Sequence, residues 1–186
     1  MDLNFFTPEE VMEVNLRTGD GKTKHPVLKL VLLGILAGAF VSFGAVASSI
    51  AMQSVANFGM ARLVAGCIFP VGLMMITFVG GELFTSSCMM IAGVLDKRFG
   101  VYTMVRTLVY LYLTNFVGAA IVAVLVYFSG VLDYANGAIG AYALQVAYGK
   151  TSISPIAGVC SGILCNILVC IATLKATAAK DIAGKV

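Results

Sequence analysis

Charge is scarce in this chain: Asp, Glu, Lys and Arg make up 11% of its 186 residues, where a soluble domain carries about a quarter. There is one histidine, His25, and it falls in the polar stretch "RTGDGKTKHP", apart from any serine and acid set. The five cysteines, Cys67, Cys88, Cys160, Cys165 and Cys170, show neither zinc-site nor CxxC spacing and read as small thiols packed between helices. These absences argue against an enzyme. No triad can be assembled, no metal cluster is spaced for ligation, and no ligands for a redox centre are on offer, so no cofactor and no metal are expected. The first 29 residues lack the basic start and short apolar core of a cleavable signal peptide. A formal net charge of +3 arises from residues at segment ends, so it speaks to orientation in a membrane and not to nucleic acid.

What the chain has in abundance is apolar surface: 60% of its residues are hydrophobic and mean hydropathy is +0.98. Its long runs match the roughly 20 residues that cross a bilayer, which predicts an all-α, polytopic membrane bundle treated as a single domain over 1–186. Spans are expected near 30–52, 63–95, 107–128 and 156–174. Ahead of them, "TPEE" supplies a hydroxyl cap, a proline at the first helical position and acids in the first turn. It predicts a short amphipathic helix over 8–17, with Val11, Met12, Val14 and Leu16 on its apolar face, lying on the membrane surface or against the bundle. The glycine- and tyrosine-rich stretch over 129–155 reads as a loop. With four crossings and the N-terminus inside, ten basic residues face the cytoplasm, and Arg62 and Lys150 alone face out. That bias is the positive-inside pattern of the cytoplasmic membrane.

The second run is too long. Its 33 residues would make a helix of about 50 Å at ~1.5 Å per residue, against a hydrocarbon core of roughly 30 Å. A second full crossing would move Asp96, Lys97 and Arg98 outside and spoil the charge count. The remaining solution is a crossing broken near 80–87, at "GGELFTSS". Irregular backbone at that depth survives only against protein or a water-filled cavity, so this loop should line a polar path. Gly80, Gly81 and Ser86 would shape it. Thr85, Ser86 and Ser87 would cap the short half-helix that follows, whose N-terminal amides and partial positive charge suit a small anion. Glu82, the sole carboxylate deep in the run, is read as an acceptor for loop amides, since a bare carboxylate would repel an anion. Asn115 and Asn166 lie mid-span, where interhelical hydrogen bonding is the default and a pore contact is open to Asn166. Gly34/Gly38 and Gly38/Ser42 are small-xxx-small pairs that indicate close helix contacts.

The triplet Gly34-Ile35-Leu36 of the first span recurs as Gly162-Ile163-Leu164 in the fourth, which runs the other way. This is the pattern of an inverted repeat. A counterpart of the break would then lie past Val186, so the chain reads as lacking a fifth and a sixth helix.

"GGELFTSS", "YLTNFVGA", "GILCNILVC" and "NFFTPEEV" together resemble the formate/nitrite transporter family of anion channels, over a stretch from Pro8 to about Asp181. The resemblance implies an aquaporin-like plan with one pore per protomer, a homo-pentamer in the lipid bilayer, and formate, nitrite, hydrosulfide or a similar small monovalent anion as substrate. Carried over by position, it makes Thr85 the pore-facing threonine. Leu83 and Phe84 would form the inner constriction, and Phe69 and Leu73 apolar pore positions. Lys150 is similar to a lysine near the family's central site, and Asn166 to a pore-proximal asparagine. The family's central histidine belongs to the fifth helix, and His25 cannot replace it. Two other readings stay open: an aquaporin-like pore for neutral solutes, and a non-transporting fragment. Lys150 also has a plainer reading as a solvated loop charge.

Overall fold

The computed structural model describes residues 4–185. Helix α1 (Pro8–Lys24) starts on a reciprocal cap: the Glu10 amide donates to Thr7 Oγ1 at 3.4 Å, and the Thr7 amide donates to Glu10 Oε2 at 2.7 Å. It runs two turns beyond the expected end at residue 17, so "RTGDGKTK" is helical. Two pairs spaced i, i+4 line its outer face, Glu13–Arg17 at 2.8 Å and Asp20–Lys24 at 2.6 Å. Its Gly19 is buried against Phe99 and Met90. Packing there overrides the low helix propensity of glycine.

Helix α2 (Val27–Met52) forms the centre of the bundle. The second crossing begins with α3 (Phe58–Ile68), capped by Asn57 Oδ1 on the Met60 amide at 3.0 Å. It bends at Pro70 and continues as α4 (Val71–Val79); the proline has no amide to give the helix ladder. Gly80, at φ +90°, ends α4 in a left-handed conformation that other residues rarely adopt. After the non-helical residues 80–83 come α5 (Phe84–Ser87), a 3₁₀ turn (Cys88–Met90) and α6 (Ile91–Leu95). The break is therefore tighter than the expected 80–87, because the chain re-enters helix at Phe84. Helix α7 (Val101–Phe128) is followed by α8 (Ala138–Thr151) and α9 (Pro155–Ala178). Helix α8 corrects the reading of 129–155 as a loop: its alanines, leucine and glutamine are good helix formers, and it folds back on the turn Val131–Asp133. Four apolar stretches, Val27–Met52, Phe58–Val79, Val101–Phe128 and Pro155–Ala178, are long enough to cross a membrane.

Helices α2 and α7 pack closely because small residues let their backbones touch. A Cβ on Gly38 would overlap the Asn115 carbonyl, and one on Gly118 would overlap that of Ile35. Leu111, Ala37 and Val122 are fully buried along this seam. Gly38→Val should force the helices apart and destabilise the fold by about 1–3 kcal/mol, read as a lower unfolding temperature in detergent, with Ala39→Val, one residue along, as the reference. In the repeat, Gly34 would meet Thr114 if it carried a Cβ, whereas Gly162 meets nothing within 4 Å. The two triplets therefore sit in different packing environments.

One end of the bundle gathers the N-terminal segment, the turn after α6 and the end of α9. The Phe6 amide donates to the Ala178 carbonyl at 2.8 Å, and Arg98 pairs with Glu13 at 2.8 Å. The Arg17 and Arg98 guanidiniums hold the exposed Glu13 carboxyl below its ordinary range. At the other end, the Tyr142 hydroxyl of α8 reaches Met52 Sδ at 3.2 Å.

A candidate pore site at the broken crossing

Backbone groups freed by the break need partners at membrane depth, and Asn115 of α7 serves two of them while also bonding Gly34 of α2. Its Nδ2 donates to the carbonyls of Gly34 at 2.8 Å and Glu82 at 3.0 Å, while its Oδ1 accepts the Phe84 amide at 2.8 Å. The Glu82 amide donates to the Leu33 carbonyl at 3.0 Å. One carboxamide thus ties α2, the break and the start of α5 together. It also caps α5, correcting the assignment of that job to Thr85, Ser86 and Ser87. Because α5 starts at Phe84, those hydroxyls fall inside its single turn, where Ser86 Oγ donates back to the Leu83 carbonyl at 3.2 Å.

Glu82 is neither bare nor bonded to loop amides. Lys22 Nζ of α1 stands 2.6 Å from Glu82 Oε2, each side chain about 11% exposed, and also donates to Ser87 Oγ at 2.9 Å. The correction has a simple cause. Extending α1 by two turns brings a lysine over the break, and an ion pair meets the carboxylate's need more strongly than neutral amides do. The pair is neutral as a unit, so the repulsion expected of a lone carboxylate is largely cancelled.

Thr85 differs from its neighbours. Its Oγ1 is buried without a hydrogen-bond partner among the described residues, a state that costs free energy unless something fills it. Its carbonyl accepts from Cys170 Sγ at 3.5 Å. Asn166 of α9 accepts from the same sulfur at 3.3 Å and donates to Cys88 Sγ at 3.6 Å.

Beneath the break lies a cavity of about 500 Å³ whose wall includes Leu73, Gly80, Gly81, Glu82, Ser86 and Lys22. The threonines Thr77, Thr173 and Thr177 also face it. Each donates its hydroxyl to a carbonyl of its own helix, at 2.9 Å, and so presents lone pairs to the space. The other expected site residues are placed elsewhere. Phe84 stacks edge-on against Tyr112, centroids 5.5 Å apart. Leu83 is the residue before α5, and Phe69 sits at the Pro70 bend with its carbonyl against Gly44. Lys150 is exposed in the last turn of α8, the helix that meets α2 at Met52. The structure thus gathers Leu73, Gly80, Gly81, Glu82 and Ser86 at the cavity, sets Thr85 and Asn166 behind them, and leaves Lys150 apart. Sequence reasoning missed Lys22 as Glu82's partner; it gave Asn115 its interhelical hydrogen bonding, as observed, but not the break as the partner. The i, i+4 charge pairs of α1 carried a signal for the first. For the second, the signal was only that a mid-span asparagine needs partners.

A sequence profile described as "Formate/nitrite transporter" matches residues 9–186. The chain belongs to the formate/nitrite transporter family. It is a multi-pass membrane protein of a family of channels and transporters, not enzymes. A relative called a probable formate transporter, from Methanothermobacter thermautotrophicus, is 33% identical over all of this chain and 74% of its own length. The formate channel FocA of Haemophilus influenzae is 33% identical over 96% of this chain and 64% of its own. A solved structure described as a pentameric formate channel with formate bound superposes with a TM-score of 0.76 at 26% identity, over 86% of this chain and 63% of that one. A second, described as an FNT family ion channel, gives a TM-score of 0.82 at 22% identity, over 95% and 71%, and shares the fold. The chain therefore spans about two-thirds to three-quarters of the length of these family members.

Proposed function

We propose that this chain forms part of a channel for small monovalent anions of weak acids, formate first among them, with nitrite and hydrosulfide in the same class. The channel works as a homo-pentamer in the cytoplasmic membrane, with the N-terminus in the cytoplasm. The observation that carries this reading is the Thr85 hydroxyl, buried at a break in a membrane crossing with its proton uncommitted. A carboxylate oxygen is a fitting acceptor for that proton. Leu83, Phe84, Phe69 and Leu73 form apolar constrictions that hydrated ions do not wet. Lys150 attracts anions at the outer mouth, and Asn166 holds the wall beside Thr85.

Moving a bare anion past such walls costs several kcal/mol, and transient protonation removes most of that cost. The cavity supports this order of events. Its wall carries Lys180 and Lys185, which draw the anion in, and threonines whose lone pairs meet the O–H of the neutral acid once it is protonated. Flux should therefore rise as pH falls toward the acid's own pKa.

The test is formate flux into liposomes carrying the full-length protein, across a pH series. A hydrogen bond to a charged group contributes about 1.5–3 kcal/mol, so Thr85→Val should slow flux about tenfold or more, while Thr85→Ser keeps at least half. Equal flux through the valine variant and the parent would end this reading.

A further inference from the structure

Two thiols flank Thr85, and the pore reading has no use for their chemistry. Cys88 follows α5 and Cys170 lies on α9, and the two meet through one carboxamide. Asn166 donates to Cys88 Sγ at 3.6 Å and accepts from Cys170 Sγ at 3.3 Å. Cys88 also donates to the Phe84 carbonyl at 3.5 Å, and the single Cys170 S–H is shared between Asn166 and the Thr85 carbonyl, the latter at 3.5 Å. Both cysteines are half-buried, whereas Cys67, Cys160 and Cys165 are exposed.

We propose that Cys88 and Cys170 form a two-sulfur binding site for one thiophilic divalent cation of the mercury(II) class, and that filling it displaces Thr85. Ligand type, number and charge define the class. Soft thiolates select soft cations. Among the described residues no group of three His, Cys, Asp or Glu could hold a metal, so the four ligands of a closed zinc site cannot be assembled. A linear two-coordinate ion is what remains. At membrane depth net charge is expensive: two thiolates on a monovalent ion leave one negative charge, and on a divalent ion they leave none. Two S–H bonds break, two sulfur–metal bonds form, and two protons leave to water. Nothing is oxidised or reduced. The ion takes the place of the Asn166 carboxamide, which now bridges the two sulfurs.

The link to Thr85 follows from the same bonds. Once metallated, neither sulfur can donate to the Phe84 or Thr85 carbonyl. Helix α5 loses its sulfur tie to α9, from Cys170, and its local tie to Cys88, and the Thr85 hydroxyl moves with it.

The experiment uses the full-length protein with Cys67, Cys160 and Cys165 replaced by alanine, mercuric ion as the probe, and bound mercury per protomer measured after challenge with a competing monothiol. One mercury per protomer is expected. It should resist at least tenfold more competitor than in the Cys88→Ala or Cys170→Ala variant, and retention should vanish when both are replaced. Two mercury ions per protomer, or equal retention in the single-thiol variants, would overturn the site. This readout does not depend on transport, so it stands or falls apart from the proposed pore. In the parallel flux assay, mercury should stop formate entry only when both thiols are present, with excess monothiol restoring it. Tight binding with unchanged flux, in protein shown to conduct, would overturn the coupling to Thr85.

Discussion

Asn115→Leu should reduce formate flux at least a hundredfold and lower the stability of the purified protein by about 3–5 kcal/mol. Leucine nearly matches asparagine in size, so little packing volume changes. What disappears is the set of three hydrogen bonds to Gly34, Glu82 and Phe84. Each buried group left unpaired costs about 1–3 kcal/mol, and two fail together, the Glu82 carbonyl and the Phe84 amide; the Gly34 carbonyl keeps its place in the α2 ladder. The break would then lose its fixed geometry, and with it the position of Thr85. Asn115→Asp is the informative partner variant. It keeps an acceptor for the Phe84 amide but points a second oxygen at two carbonyls, so it should recover little. Thermal unfolding in detergent and liposome flux together check both outcomes, and an Asn115→Leu protein as stable and active as the parent would remove the clamp from the account.

The second large effect concerns the ion pair across the break. Lys22→Met leaves the Glu82 carboxylate buried without its cation, which should cost about 3–5 kcal/mol. The double variant, Lys22→Met with Glu82→Leu, removes both charges and should regain at least half of that loss. Recovery is expected because desolvating two charges offsets much of their attraction. The same measurement separates a pair that stabilises from one that merely compensates. If the double variant loses as much as the two single changes added together, the two residues are not coupled as the 2.6 Å contact implies.

The features read correctly from the sequence were those written in local pattern. Four apolar helical stretches long enough to cross a membrane follow from run length. The break follows from a second run longer than the bilayer is thick, and "GGELFTSS" marks where it falls. The tighter break, starting helix again at Phe84, was hidden because the group that caps it comes from α7, 31 residues further on. No periodicity encodes such a partner. Lys22 falls in a polar stretch past the expected helix end, where two glycines interrupt the helix signal, and the packing of Gly19 on Phe99 explains why the helix persists. Helix α8 was missed for a related reason. Its glycines and tyrosines look like loop material, yet its alanines, leucine and glutamine sustain a helix once it has a surface to rest on.

The central claim is that a permeating anion passes the Thr85 side chain. Its most direct test puts a cysteine there, Thr85→Cys, in protein otherwise free of cysteine, and follows labelling by a small charged thiol reagent in liposomes. The account predicts reaction from the aqueous phase, slowed several-fold by formate and unaffected by a large anion that cannot enter. A thiol at this position that stays inert to the aqueous reagent, or reacts at the same rate with and without formate, would contradict it.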